Sequence, residues 1–356
     1  MTEMMKAVVL TGHGGLDKLV YQDVAKPVAG PGEVLIQVGA CGLNNTDVIT
    51  RSGWYSKEVT SATTGEGLID EGVDGTWGGS GLSFPRIQGA DVCGEIAAVG
   101  EGVDAARIGE RIVTDNWIRD PADPENKAKT RYFGSELNGG FAEFVVIPAE
   151  NALAVNSPLS DAELATFSCS YSTAEGMLTR AKVGADDTVL VPGASGGVGG
   201  ALVQLAKLRG ARVVAMAGEA KHEAVLALGA DRALPRAPED LAVALEGETI
   251  TVLADIVGGD AFAPLIELIE RGGRYVTSGA IAGPIVPLDL RTLYLRDLTF
   301  HGSTVVAPEV MRNVVRYVEE GSIRPALAAT YPLENLREAQ AAFIAKTHVG
   351  NIVVTP

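Results

Sequence analysis

A glycine-rich turn at residues 193–200 joins an apolar, strand-like run to an amphipathic, helix-like run. The run TVLVP (188–192) precedes the turn GASGGVGG, and ALVQLAKL follows it. Small residues at such a turn let the backbone approach a diphosphate, whose charge is met by free N–H groups and the positive end of the helix dipole. We therefore expect a dinucleotide here, held by Ala194, Ser195, Gly196, Gly197 and Val198. The alternative is close packing of the helix on the strand without a ligand.

The next strand-like run, ARVVAM (211–216), bears on which dinucleotide binds. An NAD site normally has Asp or Glu at the end of this strand to bind the ribose 2′-hydroxyl. Here the strand ends in Ala217 and Gly218, and the nearest carboxylate is Glu219. Lys221 offers an ammonium for a 2′-phosphate, so the pattern favours NADPH, with Gly218 and Lys221 in the site. Against this, Glu219 would repel a phosphate, and Lys221 is also typical of a solvated first helical turn.

The elements that position these residues fall into two parts of the chain with different sequence patterns. Up to about residue 158, short β-rich runs predict a small antiparallel barrel or folded sheet, with strands at 6–10, 33–38, 94–100, 110–114 and 141–147. From Ser160, strand-like and helix-like runs alternate, as in right-handed βαβ units with a doubly wound parallel sheet. The predicted strands are 188–192, 211–216, 251–257, 274–278 and 298–302; the predicted helices are 160–182, 197–208, 221–228 and 261–270. Ser160 and Glu163 have capping-box spacing, and two helices (308–320, 334–345) and a strand (351–355) follow.

Further cofactor contacts are expected where the parallel strands end. Val257 and Gly258 end one predicted strand, Gly279 and Ala280 follow another, and Ser303 follows the last. Ligands of such sheets bind at the carboxyl edge, so we place these residues on the nicotinamide side. Two polar insertions, 56–84 and 118–130, are expected to be surface loops.

The composition excludes several classes of protein. The 356 residues are 46% hydrophobic and 21% charged, with 43 Gly, 17 Pro and 3 Cys, which fits two folded domains and excludes a disordered chain or a disulfide scaffold. A net charge of −16 without a Lys/Arg cluster argues against nucleic acid as a partner. The sequence has no run of about 18 apolar residues and no apolar signal-peptide core, so we expect a cytoplasmic protein that does not enter membranes. Cys41, Cys93 and Cys169 form no CxxC pair, and we expect reduced, buried thiols.

Six stretches together resemble the medium-chain dehydrogenase/reductase superfamily, and within it the zinc-free quinone oxidoreductase (zeta-crystallin-like) branch. They are CGLNNTDVITRSGWY (41–55), GADVCGEIAAVGEGV (89–103), GGFAEFVVIPAEN (139–151), GASGGVGGALVQLAK (193–207), LYLRDLTFHGST (293–304) and HVGNIVV (348–354). The resemblance covers nearly the whole chain outside 56–84 and 118–130. It implies an α/β protein with a GroES-like β-rich catalytic domain at residues 1–160 and 304–356, and a Rossmann domain with a doubly wound parallel sheet at residues 161–303.

The resemblance also assigns residues to the reacting centre. Asn44 matches the branch's Asn beside the nicotinamide and Tyr55 matches a Tyr that lines the site, so both are our candidate catalytic residues. Thr173 matches a cofactor contact on the central helix. A turn role for Asn44 and a rim position for Tyr55 are the structural alternatives. A second branch tyrosine is replaced by Ile49, which puts its proton-donor role in doubt.

Zinc-binding members of the superfamily place three catalytic ligands at positions that match Asn44, Ala90 and Cys169. One thiol cannot make a three-ligand site, and residues 118–130 carry no Cys for a structural zinc lobe. We therefore predict that the protein binds no metal.

These features predict a zinc-independent oxidoreductase that transfers a hydride from NADPH to a small-molecule substrate, either a quinone or an α,β-unsaturated carbonyl. An enoyl-thioester reductase on the same scaffold and a non-catalytic NADPH-binding protein are the alternatives. We expect a homodimer joined through the edge strand at 298–302. Residues 56–84 follow Tyr55 directly, so we expect them to cover the substrate with Trp54 and Trp77; an inert surface or oligomer-contact loop is the alternative.

Overall fold

The computed structural model of the protein describes residues 2–63 and 82–356. The amino-terminal elements are β1 (Met4–Leu10), β2 (Leu19–Ala25), β3 (Glu33–Gly42), α1 (Asn45–Arg51), β4 (Arg86–Ile87), β5 (Asp91–Val99), β6 (Arg111–Thr114), β7 (Trp117–Ile118), β8 (Arg131–Tyr132), β9 (Phe144–Pro148) and β10 (Ala152–Ala154). The central elements are α2 (Asp161–Leu164), α3 (Ser168–Arg180), β11 (Thr188–Pro192), α4 (Gly197–Leu208), β12 (Arg212–Ala217), α5 (His222–Ala227), β13 (Arg232–Pro235), α6 (Leu241–Ala244), β14 (Ile250–Asp255), α7 (Phe262–Ile266), β15 (Ile269–Thr277), α8 (Leu290–Leu295) and β16 (Thr299–Gly302). The carboxyl-terminal elements are α9 (Pro308–Glu319), β17 (Leu327–Pro332), α10 (Leu336–Ala345) and β18 (Asn351–Thr355).

The β-rich part is built around the long strand β3. This strand pairs antiparallel with β5 along one edge, and with β9 and then β18 along the other. Val34, Ile36 and Val38 are buried and Gln37 is exposed, as expected when one face of a strand packs on a core. In the described residues this sheet has seven strands in the order β10-β6-β5-β3-β18-β17, with β9 also on β3, and a separate sheet has the order β2-β1-β4.

The helix predicted at 160–182 is wrong in one respect, because it is interrupted. Ser160 caps α2 through the predicted capping box, in which Ser160 Oγ accepts from Glu163 N and Glu163 Oε2 accepts from Ser160 N. The chain then turns before α3 begins at Ser168. Gly42 of β3 lies so close to the Ala165 carbonyl that a Cβ on Gly42 would be 2.2 Å from its oxygen. Contact with β3 therefore ends α2 at a point where the local sequence is compatible with a helix.

The central part contains the predicted doubly wound sheet. Its strands are all parallel and lie in the order β13-β12-β11-β14-β15-β16. The strand order reverses direction between β11 and β14, so the crevice outside their carboxyl ends is the expected ligand position. The GroES-like and Rossmann fold predicted from the sequence is thereby confirmed.

Two details of this sheet differ from the prediction. The helix expected at 261–270 covers only α7, and β15 already begins at Ile269. Gly272 has φ +79°, and at Gly273 a Cβ would lie 2.3 Å from Ile269 Cγ2. The two glycines therefore allow a bend in β15 that brings Gly273 close to the Ile269 side chain. Strand β13 was not predicted, because four residues ending in Pro235 carry no recognisable strand pattern.

The carboxyl-terminal segment packs in two places. Helix α9 places Met311, Val314 and Val318 in the same core as α3 and α4, whereas β17 and β18 extend the β-rich sheet. The domain limits predicted from the sequence remain a prediction. None of the helices in the described residues combines the length and apolarity that a membrane span requires.

Candidate active site

A cavity of about 340 Å³ lies in the crevice between the two sheets. Its wall on the β-rich side includes Asn44, Tyr55 and Tyr132, and its wall on the Rossmann side includes Val198 and Gly279. Seven of the predicted site residues line it: Asn44, Tyr55, Thr173, Gly197, Val198, Gly279 and Ala280. These seven residues come from four separate segments of the chain, and the fold brings them together around one cavity.

The glycine-rich turn has the geometry of a dinucleotide cradle. Gly196 precedes the first turn of the 12-residue helix α4, and at Gly199 a Cβ would lie 2.2 Å from the Gly193 carbonyl oxygen. This close approach requires glycine and directs the amino-terminal N–H groups of α4 to the mouth of the crevice. Ala194 is buried beneath the turn, and Ser195 O accepts from Gly350 N at 3.0 Å. The residues present fit a dinucleotide diphosphate.

The loops after β14 and β15 form the other side of the crevice. Asp255 accepts from the N–H groups of Val257 (2.7 Å) and Gly258 (3.2 Å), which holds the first loop in place. Ile281 N donates to Ile256 O and joins the two loops. Ser303 is buried, its N–H donates to Thr277 O, and its neighbour Thr304 lines the cavity. The cavity lining is thus supported from behind by Val257, Gly258 and Ser303.

Lys221 belongs to a cluster of basic groups that the sequence did not predict. Its Nζ donates to the carbonyl oxygens of Lys346 and His348, both at 2.7 Å. Lys346 Nζ donates to Asn45 Oδ1 at 2.9 Å and lies 3.6 Å from the ring centroid of Phe343. The cluster lies next to the glycine-rich turn, because Gly350 forms a β-bridge with Gly196.

Burial and nearby positive charges lower the pKa values of these basic groups. Burial and the charge of Lys221 lower the pKa of Lys346 to about 7. Burial, together with Lys346 and Lys221, also lowers the pKa of His348. Burial and Arg236 lower the pKa of Lys221. We name Lys221, Lys346 and His348 the basic cluster, in which a bound anion would stabilise the protonated forms.

Two buried carboxyl groups lie beneath the substrate side of the cavity. Asp47 Oδ2 accepts from Asn44 N at 2.8 Å, which completes the amino-terminal cap of α1. Asp91 Oδ1 accepts from Asn116 Nδ2 at 3.0 Å and from Cys169 N at 2.9 Å. Burial raises the pKa of each carboxyl to about 7, although these hydrogen bonds oppose the rise. The Asn44 side chain also faces Asp91, so Asn44 is both a cap residue and part of the cavity wall.

The tyrosines of the cavity occupy different depths. Tyr55 is half-buried, and its ring meets Trp54 edge to face with centroids 5.9 Å apart. Tyr132 is 4% exposed, and burial raises the pKa of its hydroxyl well above the ordinary range. Tyr132 was missed by the sequence analysis because it follows the insertion at 118–130 and is positioned by the pairing of β8 with β7.

Part of the predicted substrate cover can be placed. Thr63 N donates to Ile281 O at 2.9 Å, and both residues line the cavity. Trp54 Nε1 donates to Ser61 O at 2.9 Å. Residues 64–81 of the predicted cover, with Trp77, lie outside the described residues.

The donor set at the zinc-ligand positions does not fit a catalytic zinc. Asn44, Ala90 and Cys169 occupy those positions, and burial raises the pKa of the Cys169 thiol, whereas a zinc ligand must be a thiolate. The Asp91 carboxylate is already engaged by two donors. In the part of the chain that the structure describes, no three His, Cys, Asp or Glu side chains are arranged to hold a metal ion.

Comparison with known proteins assigns the family. The alcohol dehydrogenase GroES-like domain family matches residues 30–157, and the zinc-binding dehydrogenase family matches residues 197–320. A structure from Sinorhizobium meliloti 1021, described provisionally as an alcohol dehydrogenase, is 48% identical with a TM-score of 0.90, covering 100% of this chain and 98% of that one. The chain belongs to the medium-chain dehydrogenase/reductase superfamily. The superfamily predicted from the sequence is confirmed.

More distant members of the superfamily indicate the class of chemistry. Acryloyl-coenzyme A reductase from Metallosphaera sedula is 28% identical over 363 residues, covering 99% of this chain and 100% of that one. Quinone oxidoreductase from Mus musculus is 26% identical over 352 residues, covering 95% and 93% of the two chains. This member of the medium-chain dehydrogenase/reductase superfamily is accordingly an oxidoreductase with a dinucleotide-dependent dehydrogenase fold.

Proposed function

We propose that this protein is a zinc-independent reductase that transfers a hydride from NADPH to a quinone or to an α,β-unsaturated carbonyl. The observation that carries the proposal is the character of the cavity, whose polar lining groups include Asn44, Tyr55, Tyr132 and Thr173 beside apolar walls. Oxidation of an alcohol needs a group that stabilises an alkoxide, usually a metal ion. Reduction of a conjugated acceptor needs orientation and hydrogen bonds, which these side chains can supply.

The chain offers a separate group of residues to each part of the cofactor. The N–H groups at the start of α4, from Gly197 onward, would bind the diphosphate. The basic cluster would bind the 2′-phosphate, and Thr173, Gly279 and Ala280 would enclose the nicotinamide. When bound, NADPH supplies the hydride. The choice of NADPH over NADH rests on the basic cluster and on the missing acid after β12.

A second candidate is reduction of an enoyl thioester. It is favoured by the similarity to acryloyl-coenzyme A reductase, which extends over the full length of both chains. The same conjugated C=C–C=O group would be reduced, so the two candidates differ in the size of the acyl carrier and share the reacting atoms.

The proposal is tested by following NADPH oxidation with a panel of quinones, enals, enones and short enoyl-coenzyme A esters. We expect turnover with quinones or simple enones. A kcat/KM at least tenfold higher for the coenzyme A esters would favour the second candidate. Tight NADPH binding without oxidation by any acceptor would contradict both and leave the non-catalytic alternative.

We also propose a homodimer through β16, the edge strand of the parallel sheet. An unpaired edge can continue a sheet into a second copy. Light scattering that gives the mass of one chain at micromolar concentration would contradict the dimer.

A further inference from the structure

Tyr132 lies at the floor of the cavity, on its substrate side. It ends the short strand β8, and its ring packs edge to face on Trp117 of the paired strand β7, with centroids 4.8 Å apart. It lines the cavity together with Asn44, Cys169 and Thr173. A phenol on this floor lies among the groups that would surround a bound carbonyl.

A neighbouring amide fixes the direction of the Tyr132 hydrogen bonds. Asn116 Nδ2 donates to Asp91 Oδ1 at 3.0 Å and to the Tyr132 hydroxyl oxygen at 3.3 Å. This direction holds when Asp91 is ionised, above its pKa of about 7, because a carboxylate accepts and cannot donate. The Tyr132 oxygen therefore accepts from Asn116, and its own O–H points away from that amide. The Tyr132 hydroxyl also has a hydrogen-bonding interaction with Cys169 that raises the pKa of Tyr132, so a substrate carbonyl would replace Cys169 as its partner.

We propose that Tyr132 is the proton donor of the reductase, a proposal that rests on the function proposed above. In this role its O–H donates to the carbonyl oxygen of the substrate. Hydride adds to the β-carbon, the C=C electron pair moves to form a double bond between the α-carbon and the carbonyl carbon, and the oxygen gains negative charge. The Tyr132 O–H bond breaks, its proton moves to that oxygen, and the product is an enol that becomes the saturated ketone in solution.

Asn116 stabilises the phenolate that this step leaves behind, whereas burial, Cys169 and Asp91 raise the pKa of Tyr132 and oppose loss of its proton. Asn116 Nδ2 already donates to the Tyr132 oxygen, and that hydrogen bond strengthens when the oxygen is charged. Water that enters after product release returns the proton to Tyr132. The balance of the cycle is one hydride from NADPH and one proton from solvent for each reduced double bond.

Tyr55 is less suited to this role. It is half-buried beside Trp54 at the end of the described segment that leads to residue 63, whereas Tyr132 is 4% exposed. A buried donor competes less with water for the carbonyl oxygen and holds a more defined geometry. We therefore assign Tyr55 to the shape of the cavity and Tyr132 to the proton.

The test compares Tyr132→Phe with a matched control, Tyr171→Phe. Tyr171 is equally buried, but its hydroxyl bonds to Gln204 and the Arg324 carbonyl, away from the cavity lining. For a simple enone we expect Tyr132→Phe to lower kcat by about 100-fold or more, the usual effect of losing a general acid. The Kd for NADPH and the melting temperature should change no more than in the control.

A second acceptor separates proton donation from a structural effect. A halogenated quinone, whose reduced monoanion is stable without an added proton, should lose less than about threefold of kcat in Tyr132→Phe, because general acid catalysis is then unnecessary. If the variant does not fold, the wild type should show a solvent deuterium effect on enone reduction and none on the halogenated quinone. The milder variant Asn116→Ser should slow only the enone.

The results of these experiments separate the role of Tyr132 from the proposed function. Selective loss of enone reduction in Tyr132→Phe, or in Asn116→Ser if the first variant does not fold, supports the proposal, and absence of a deuterium effect on enone reduction overturns it. An unchanged enone kcat in Tyr132→Phe, or an equal loss for both acceptors, overturns it while the proposed function stands. A wild type that reduces no member of the panel overturns the proposed function, and the role of Tyr132 with it.

Discussion

The basic cluster predicts that NADPH binding weakens as pH rises above neutrality. Lys346 has a pKa of about 7 because it is buried and faces Lys221. A 2′-phosphate at this position would stabilise the ammonium and return its pKa toward the ordinary value near 10.4. The cofactor would then prefer the protonated lysine, which is populated below pH 7 and lost as pH rises through 7.

The expected size follows from the separation of the two pKa values. Above pH 7 the Kd for NADPH should rise by up to tenfold per pH unit, or about 30-fold at pH 8.5, which corresponds to about 2 kcal/mol. The 2′-phosphate is almost fully dianionic over this interval, because the second pKa of such a group is about 6. The pKa of His348 is lowered below its ordinary value, so its imidazole is already mostly neutral and adds little slope.

The assay is a fluorescence titration of NADPH and of NADH from pH 7 to pH 9. Lys346→Met keeps an apolar side chain beside Phe343 and removes the charge, so it should bind NADPH weakly at pH 7 and show less than about a twofold change per pH unit. Lys129→Met, at an exposed lysine paired with Asp120 and Asp123, is the matched control and should behave as the wild type. A steep slope that persists in Lys346→Met, or that is equal for NADH, would refute this reasoning.

Three further predictions concern the cofactor, the metal and the buried acids. Gly218→Asp should lower the NADPH to NADH ratio of kcat/KM at least tenfold, because a Cβ at Gly218 meets no atom within 4 Å whereas Ala217 is buried; an unchanged ratio would contradict the assignment. Dialysis against a chelator should leave NADPH oxidation intact, and loss of activity that zinc restores would show a catalytic metal. The pKa of Asp91 is about 3.9 in the unfolded chain and about 7 in the folded protein, so the folded state holds this proton more tightly. The stability from this group is present below about pH 3.9 and is lost as pH rises toward 7. The free energy of unfolding should therefore fall by about 2–3 kcal/mol between pH 5 and pH 8 from this group. Thermal melts of Asp91→Asn should show a smaller drop over that interval, and an unchanged drop would assign the effect to other groups.

The parts of the fold that local sequence controls were predictable. The strands at 188–192 and 351–355 have the predicted bounds, and α4 occupies the predicted residues 197–208. Their patterns are strong because a buried parallel strand is a continuous apolar run and the glycine-rich turn requires small residues. The interruption after α2 could not be predicted in this way, because it depends on Gly42, which is more than 120 residues away in sequence.

The candidate site likewise contains residues that the local sequence predicts and residues that it does not. Asn44 and the glycine-rich turn were predicted because each lies in a stretch that resembles the family, and Thr173 because it matches a cofactor contact on the central helix. Lys346 and Tyr132 were missed because their positions depend on long-range pairing, through the bridge of Gly350 with Gly196 and through β7 with β8. Neither contact leaves a pattern in the neighbouring residues, so the positions of Lys346 and Tyr132 are apparent only in the folded chain.

The net charge of the chain gives the basic cluster a further significance. With a formal charge of −16, the protein as a whole repels an anionic dinucleotide, but at physiological salt this repulsion is screened beyond about 8 Å. Inside that distance the 2′-phosphate of the proposed cofactor would meet Lys221 and Lys346, whose half-buried ammonium groups are screened far less. In the proposed binding mode, cofactor affinity would therefore depend on these two local cations. Asn44, Tyr55, Tyr132 and Thr173 also line the cavity, so in the proposed reaction uncharged donors would meet a neutral carbonyl.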